Sequence, residues 1–286
     1  MPKPIAIPVV AAGPGSQPVD DDTLDYMALP TEMFTHGSID LPEPQALRRQ
    51  QRVRDLLEDM LATTAAYVPR RDEPVVHDLS RLDADDLDCI NQILGEGEVS
   101  VSIDLPDCTI RAQESVLTGI WRVRRLDAAQ ALLEDHIEVA DVPHCVRALG
   151  FANAAPEGLR PGPPIPGVQN APALLSEIAD RMASYTAHSP AHVINLSLLP
   201  LSPQDLAWLG AELGVGPATI LSRGYGNCRI GATRMANVWW IKYFNSQDAL
   251  ILNTIEVVDV PEVALAAAED FADTATRLRE ILELFQ

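Results

Sequence analysis

The stretch IEVADVP, residues 137–143, recurs as IEVVDVP at residues 255–261, with six of the seven residues identical. The offset is 118 residues, since 255 − 137 = 118. Two further pairs of blocks keep this offset: residues 119–124 with 237–242, and residues 56–67 with 174–185. Similarity at one fixed spacing is the signature of an internal repeat. The sequence therefore predicts a duplication.

The repeat divides the chain into four parts. Residues 1–44 are proline-rich and are predicted to form a flexible segment without a core of its own. Residues 45–150 form copy one, and residues 170–286 form copy two with a C-terminal helix. Residues 151–169 contain a second proline cluster and are predicted to be a linker.

Each copy shows the same series of elements. An amphipathic helix precedes a short strand, and a second helix follows with capping signals: Ser202 and Asp205 in copy two, Asp83 and Asp86 in copy one. The alternation in residues 99–103 is typical of a half-buried strand. Short strands in series favour antiparallel pairing. We therefore expect an α+β fold, each copy having antiparallel strands and flanking helices, with the copies related by a pseudo-twofold.

A Gly-x-Gly sequence ends the second helix of each copy, at residues 95–97 and 214–216. A nucleotide-binding loop opens a helix, whereas these glycines follow one. We therefore interpret Gly95 and Gly214 as left-handed helix C-caps with positive φ.

What differs between the copies is a candidate for function, because the needs of the fold are common to both. Glu96 and Glu98 face Val215 and Pro217 in copy two, so these acids are candidates for a surface site. Two solvated turn carboxylates remain the alternative interpretation. The residues predicted to bind a partner are Glu96, Glu98, Gln113, Glu114, Tyr225, Asn227 and Cys228, and we expect them to be at least partly exposed.

Composition and motifs exclude several classes of function. The formal charge of −20 argues against binding to a nucleic-acid backbone, which needs a basic surface. No run approaches the roughly 18 apolar residues that predict a membrane-spanning helix, so membrane insertion is not expected. The sequence shows no Ser-His-Asp pattern, phosphate loop or C-x-x-C. We therefore expect no catalytic residues, no cofactor and no metal site.

Two cysteine and histidine patterns leave alternatives open. Cys108 and Cys228 occupy similar places in the copies and could form a redox or metal pair, or be two half-buried thiols. His136, together with the neighbouring pair His144 and Cys145, could suggest a metal site, but these residues lack a recognisable ligand pattern.

Three long phrases carry a resemblance to a known family: ILGEGEVSVSI, AQESVLTGIWRV, and the stretch from Gly224 to Ala267. They resemble the HupH/HyaF family of hydrogenase expression proteins. One departure is Trp240, where relatives tend to carry arginine.

The resemblance implies a non-enzymatic, chaperone-like accessory factor that acts in the cytoplasm on an uptake [NiFe] hydrogenase. The implied partners are the precursor of the hydrogenase small subunit, before its export, and a thioredoxin-like maturation protein. The implied maturation step concerns the iron–sulfur clusters of that subunit. The alternative is a metal-handling protein that assists nickel or iron insertion. The family supplies no catalytic residues to carry over.

Overall fold

A computed structural model describes residues 50–155, 158, 160–187, 189–223 and 227–285. The proline-rich start, residues 1–44, lies outside this part of the chain, as does Tyr225.

The described residues form six helices and ten strands in chain order. The first half comprises α1 (Gln51–Ala66), β1 (Val75–Asp78), α2 (Ala84–Leu94), β2 (Val99–Asp104), β3 (Cys108–Glu114), β4 (Ile120–Asp127), β5 (Leu132–Val139) and α3 (His144–Leu149). The second half comprises α4 (Ala171–Ser184), β6 (His192–Asn195), a 3₁₀ turn (Leu196–Leu198), α5 (Pro203–Leu213), β7 (Ala218–Ser222), β8 (Asn227–Ala232), β9 (Val238–Phe244), β10 (Leu250–Val257), a 3₁₀ turn (Glu262–Ala264) and α6 (Ala268–Glu283).

All ten strands belong to one antiparallel sheet with the order β1-β5-β4-β3-β2-β7-β8-β9-β10-β6. The expected α+β class with antiparallel strands is therefore confirmed. β2 and β7 meet at the centre, where Val101 lies opposite Ile220. Outward from this pair, each half continues through its remaining strands in the same sequential order.

The two faces of the sheet are covered by different elements. On one face, α1 and α2 cover the outer strands of the first half, and α4 and α5 cover those of the second. On the other face, Val101 and Ile220 belong to a continuous apolar surface. Residues of α3 and of the 3₁₀ turn at 262–264 pack over this central surface. The core is thus continuous across the central strand pair.

The closing segment of each half packs on the other half. Phe271 of α6 stacks on Tyr67, at the end of α1, with ring centroids 4.8 Å apart. Reciprocally, Phe151, which follows α3, meets Trp239 of β9 edge-on at 4.8 Å. Aromatic pairs at this distance add to the free energy of burial. The two halves therefore complete each other's cores.

An ion-pair network around one buried carboxylate reinforces this exchange. The fully buried carboxylate of Asp141 accepts two hydrogen bonds from the guanidinium of Arg147, at 3.0 and 3.1 Å. Nε of the same arginine donates to Asp259 of the second half at 3.1 Å. The backbone N–H of Arg70 also donates to Asp141. One arginine thus links the Asp-Val-Pro segments of both halves.

The two Gly-x-Gly sequences end α2 and α5 as expected. Gly95 has φ 54° and Gly214 has φ 61°, so the prediction of positive φ at both positions is confirmed. The second glycine of each set is needed for a different reason. A Cβ at Gly97 would lie 2.2 Å from the Ser115 carbonyl oxygen, and a Cβ at Gly216 would lie 2.5 Å from that of Thr233. Both sequences therefore serve the backbone.

Asp205 caps two helices at once. Its Oδ2 accepts from the N–H of Ser202 in the capping box of α5, as the sequence predicts. Its Oδ1 accepts from the N–H groups of Gln169, Asn170 and Ala171 at the start of α4. Burial acts to raise the pKa of this carboxyl, but the hydrogen bonds from Ala171, Ser202 and Gln169 outweigh it and lower the pKa to about 2.

Replacing the helix-ending glycines should destabilise the fold. We expect Gly95→Val or Gly214→Val to lower the free energy of unfolding by about 1 kcal/mol or more, because a β-branched residue is strained at positive φ. Urea denaturation measures the change. Gly210→Ala, inside α5, is the matched control, since an added Cβ there meets Trp240 at an ordinary 3.6 Å. The free energy of unfolding of that control variant should rise by up to about 1 kcal/mol, because alanine has a higher helix propensity than glycine. Equal losses at positions 210 and 214 would contradict the C-cap interpretation.

The Asp205 cap should make stability depend on pH in the acid range. The folded pKa is lowered, so the stabilisation is present above the unfolded value near 3.8 and is lost as pH falls towards about 2. Asp205→Ala should cost about 1 kcal/mol for each cap removed at pH 7. The difference in the free energy of unfolding between the parent protein and the Asp205→Ala variant should shrink as pH falls from 4 to 2. A difference that stays constant over this range would refute the assignment.

Candidate functional site

The turn that carries the candidate acids lies between α2 and β2. Glu96 and Glu98 are both exposed, in agreement with the expectation. Gln113 is half-buried, and its Nε2 lies 3.1 Å from the carbonyl oxygens of Gly97 and Val99. The amide therefore fastens this turn to β3. Gln113 positions the acids, and part of its hydrogen-bonding capacity is already used inside the protein.

The central strand pair brings the turn of Glu98 next to the end of β7. Val99 pairs with Ser222, and the N–H of Arg223 donates to the carbonyl oxygen of Glu98 at 3.1 Å. β8 begins at Asn227, and residues 224–226 lie outside the described part of the chain. Asn227 is half-buried, and its Nδ2 donates to Asp248 in the β9–β10 turn. Glu98 of the first candidate set thus lies beside Arg223, two residues before the second set begins in the sequence.

The expectation of exposure is wrong for Glu114. This residue ends β3, lies opposite Trp121 and is only 5% exposed. Its Oε1 accepts from the N–H of Gly119 at 3.2 Å. The pKa of Glu114 is raised to about 7. Burial is the largest cause, the hydrogen bond from Gly119 opposes it, and the charges of Asp270 and Glu98 add to the rise. The segment that follows Glu114 is held by α6, where Thr274 donates to the carbonyl oxygen of Thr118 and Arg277 donates to that of Val116.

Exposure is also wrong for Cys228, which is 4% exposed. It lies on β8 opposite Ser222 and Tyr243, on the same face as the core residue Ile230. Burial and then the charge of Glu256 raise the pKa of this thiol to about 12. Because the thiolate is the nucleophile and the metal ligand, Cys228 has little of either reactivity at neutral pH.

The four cysteines do not form pairs. All are buried and free. Cys108 and Cys228 lie on strands that β2 and β7 separate. Three strand spacings of about 4.8 Å place them roughly 14 Å apart laterally, too far for a disulfide. In the part of the chain that the structure describes, no group of three or more His, Cys, Asp or Glu residues could hold a metal ion. That holds for the surroundings of His136, His144 and Cys145 as well.

The fold and this surface define an α+β protein built on one wide antiparallel sheet, with an acidic turn beside the central strand pair. No helix of the described residues is long and apolar enough to cross a membrane. The chain belongs to the HupH family of hydrogenase expression proteins. The family model described as HupH hydrogenase expression protein, C-terminal conserved region, matches residues 52–152 and 168–285. This confirms the resemblance seen in the sequence.

Curated relatives extend the similarity over nearly the whole chain. The hydrogenase expression/formation protein HoxQ of Cupriavidus necator is 42% identical over 277 residues, 97% of this chain and 96% of that protein. HupH of Rhodobacter capsulatus is 44% identical over 283 residues, 97% of each chain. The hydrogenase-1 operon protein HyaF of Escherichia coli is 34% identical over 272 residues, 95% of this chain and 94% of that protein.

A solved structure also matches. The hydrogenase expression protein HupH from Thiobacillus denitrificans is 38% identical, and the match covers 39% of this chain and 92% of that chain, with a TM-score of 0.37.

Sequence reasoning missed the arginine that joins the halves. Arg147 lies six residues after Asp141, and position 265, at the same offset in copy two, is a leucine. This difference is a signal of the same kind as the one that marks Glu96 and Glu98, which also lack acidic counterparts in the second half. The contact itself spans 112 residues, from Arg147 to Asp259, so its partner could not be read from local sequence.

Removing the charge of Glu114 should stabilise the protein at alkaline pH. Its folded pKa lies above the unfolded value, so the carboxyl destabilises the fold increasingly as pH rises from 4.5 to about 7. We expect Glu114→Gln to raise the free energy of unfolding at pH 8 by on the order of 2 kcal/mol. The amide oxygen can still accept from Gly119. The gain should disappear below pH 5, and a gain that does not depend on pH would contradict the burial argument.

Proposed function

We propose that this protein is a non-enzymatic, chaperone-like factor in the maturation of an uptake [NiFe] hydrogenase. The observation that carries the proposal is identity of about 42% to hydrogenase expression/formation proteins over 97% of the chain. The proposed client is the small-subunit precursor, handled in the cytoplasm while its iron–sulfur clusters are assembled and before its export. A thioredoxin-like maturation protein is the proposed partner in the maturation of the small subunit.

A binding role suits the chemistry of the candidate surface better than catalysis does. Burial raises the pKa of Cys145 and of Cys228 to about 12, so neither is an activated nucleophile at neutral pH. The exposed acids Glu96 and Glu98 lie on a turn that Gln113 holds in place. A fixed acidic turn favours recognition of a basic surface on the client.

We also propose that the chain is an internal duplication with a pseudo-twofold through the centre of the sheet. Two strands related by such an axis pair so that one residue lies opposite its own equivalent. Val101 and Ile220, equivalent at an offset of 119 residues, form such a pair. The family model also matches two separate ranges, residues 52–152 and 168–285. The proposed boundaries of the copies remain 45–150 and 170–286.

Two backbone contacts support the same axis. The N–H of Gly97 donates to the carbonyl oxygen of Glu114, and that of Gly216 donates to Ala232, each at 2.7 Å. The four residues are equivalent in pairs, because 97 + 119 = 216 and 114 + 118 = 232. Copy one thus has a carboxylate where copy two has a methyl group.

Metal handling is the less supported alternative. It would need donor groups that meet at an accessible place, whereas the four thiols are buried. Elemental analysis of untagged protein, with and without added nickel or iron, distinguishes the two functions.

Capture of the small-subunit precursor tests the proposed client. We expect Glu96→Gln/Glu98→Gln protein to retain its stability within about 0.5 kcal/mol, because both positions are exposed. It should capture less precursor in a pull-down, and the deficit should shrink as salt rises, since exposed charges are screened.

Glu280→Gln/Glu283→Gln is the matched control. It removes two exposed acids from α6 and changes the net charge equally. Capture that falls equally in both double variants would assign the effect to net charge. Unchanged capture by a folded Glu96/Glu98 variant would remove these acids from the site.

A further inference from the structure

A cleft of about 980 Å³ lies beside the outer strands of the first half. β1, β5, the loop between β1 and α2, and the first residue of α3 contribute to its walls. Three aliphatic side chains on its rim are unusually exposed: Val76 is 57% exposed, Leu132 55% and Leu133 54%. A cluster of exposed aliphatic residues with polar neighbours is typical of an interaction site.

The lining of this cleft is strongly acidic. Its carboxylates are Glu73, Asp78, Glu134, Asp135 and Glu138, and its residues include no lysine or arginine. Two of them, Glu134 and Asp135, are paired with arginines of the neighbouring strand β4. The three other carboxylates have no arginine or lysine among the lining residues, whose only basic side chains are His136 and His144, so the cleft is negatively charged.

One of these carboxylates is fixed in the wall. Glu138 is only 4% exposed, and its Oε2 accepts from the N–H of His144 at 2.8 Å. Its Oε1 lies 3.0 Å from Nε2 of His136. Because both oxygens of Glu138 already have partners and the residue is buried, it contributes negative charge to the wall, and the exposed Glu73 and Asp78 are the carboxylates that a ligand can reach. The combination of an aliphatic rim and an acidic lining favours a ligand with both apolar and cationic groups.

The sheet geometry favours an extended ligand. β1, which carries Val76, is an edge strand of the ten-stranded sheet. Edge strands offer backbone groups to an added strand, and alternate side chains of that strand then point to the same face.

We propose that this cleft binds an extended peptide segment of another protein, one that carries aliphatic side chains together with arginine or lysine. Charge argues against two other occupants. Residues 1–49 of the chain itself contain seven Asp or Glu and three Lys or Arg, and a second copy of the chain carries a formal charge of −20. Both would be repelled by the lining carboxylates. The site is separate from the turn of Glu96 and Glu98, so it stands whether or not that turn contacts the hydrogenase precursor.

Fluorescence anisotropy with the full-length protein tests the site. The probe is a labelled octapeptide of alternating Leu and Arg, and its comparators replace every Leu by Ser or every Arg by Glu. The Leu–Arg peptide should bind most tightly. Leu132→Ser/Leu133→Ser should weaken its binding about tenfold, because two exposed aliphatic contacts are lost. Glu73→Gln/Glu134→Gln should weaken it several-fold at low salt and less at high salt.

Ile251→Ser is the matched control variant. Ile251 is 61% exposed on β10, at the repeat offset of 118 from Leu133, and it lies outside the cleft lining. Its affinity for the peptide should equal that of the parent protein. All three variants should keep the parent's thermal unfolding midpoint, since every replaced side chain is exposed.

Three outcomes would overturn the proposal. Unchanged affinity in the folded Leu132/Leu133 variant would remove the cleft from binding. Equal affinity for the Ser–Arg peptide would show that the net charge of the protein alone attracts the probe. Concentration-dependent dimers that disappear in the Leu132/Leu133 variant would make a second copy of the chain the occupant.

Discussion

Backbone pairing between β2 and β7 holds the two halves in one sheet. The register sets Val101 opposite Ile220, so the apolar residues of both central strands lie on one face. A slip of one residue would turn one strand's apolar side chains to the other face. The same register lets the N–H of Arg223 donate to the carbonyl oxygen of Glu98, in the acidic turn of the first half. The core and the candidate surface therefore depend on one strand pair.

Exchange of the closing segments makes the halves interdependent. Phe271 reaches back to Tyr67, and Arg147 binds Asp141 and Asp259 together. Removing Arg147 would leave the buried carboxylate of Asp141 without its cationic partner, which is destabilising. The larger hydrophobic cluster consequently contains residues of both halves, whereas the smaller one contains residues of the second half. Each half supplies the cover that the other lacks.

Differences between the halves separate into two kinds in three dimensions. Glu96 and Glu98 are exposed to solvent on a turn that the Gln113 amide fastens. Glu114 and Cys228 are covered, and their pKa values are raised by burial. Residues that differ between the halves can thus lie either on the surface or in the core, and burial decides which. Next to Glu114, the segment of Val116 and Thr118 is held by α6, from the other end of the chain.

The sequence by itself determined the local structure: the capping boxes at Asp83 and Ser202, the positive φ of Gly95 and Gly214, and the antiparallel α+β class. These follow from interactions between residues close in the chain, and their chemistry is visible in the residue types. It also carried the family, because long distinctive phrases persist in relatives. Only the tertiary structure decided which candidate side chains are exposed, that Arg147 joins the halves, and that Leu132 and Leu133 border an acidic cleft. Those features depend on contacts across more than 50 residues, and local periodicity does not encode which distant segment will cover a given side chain.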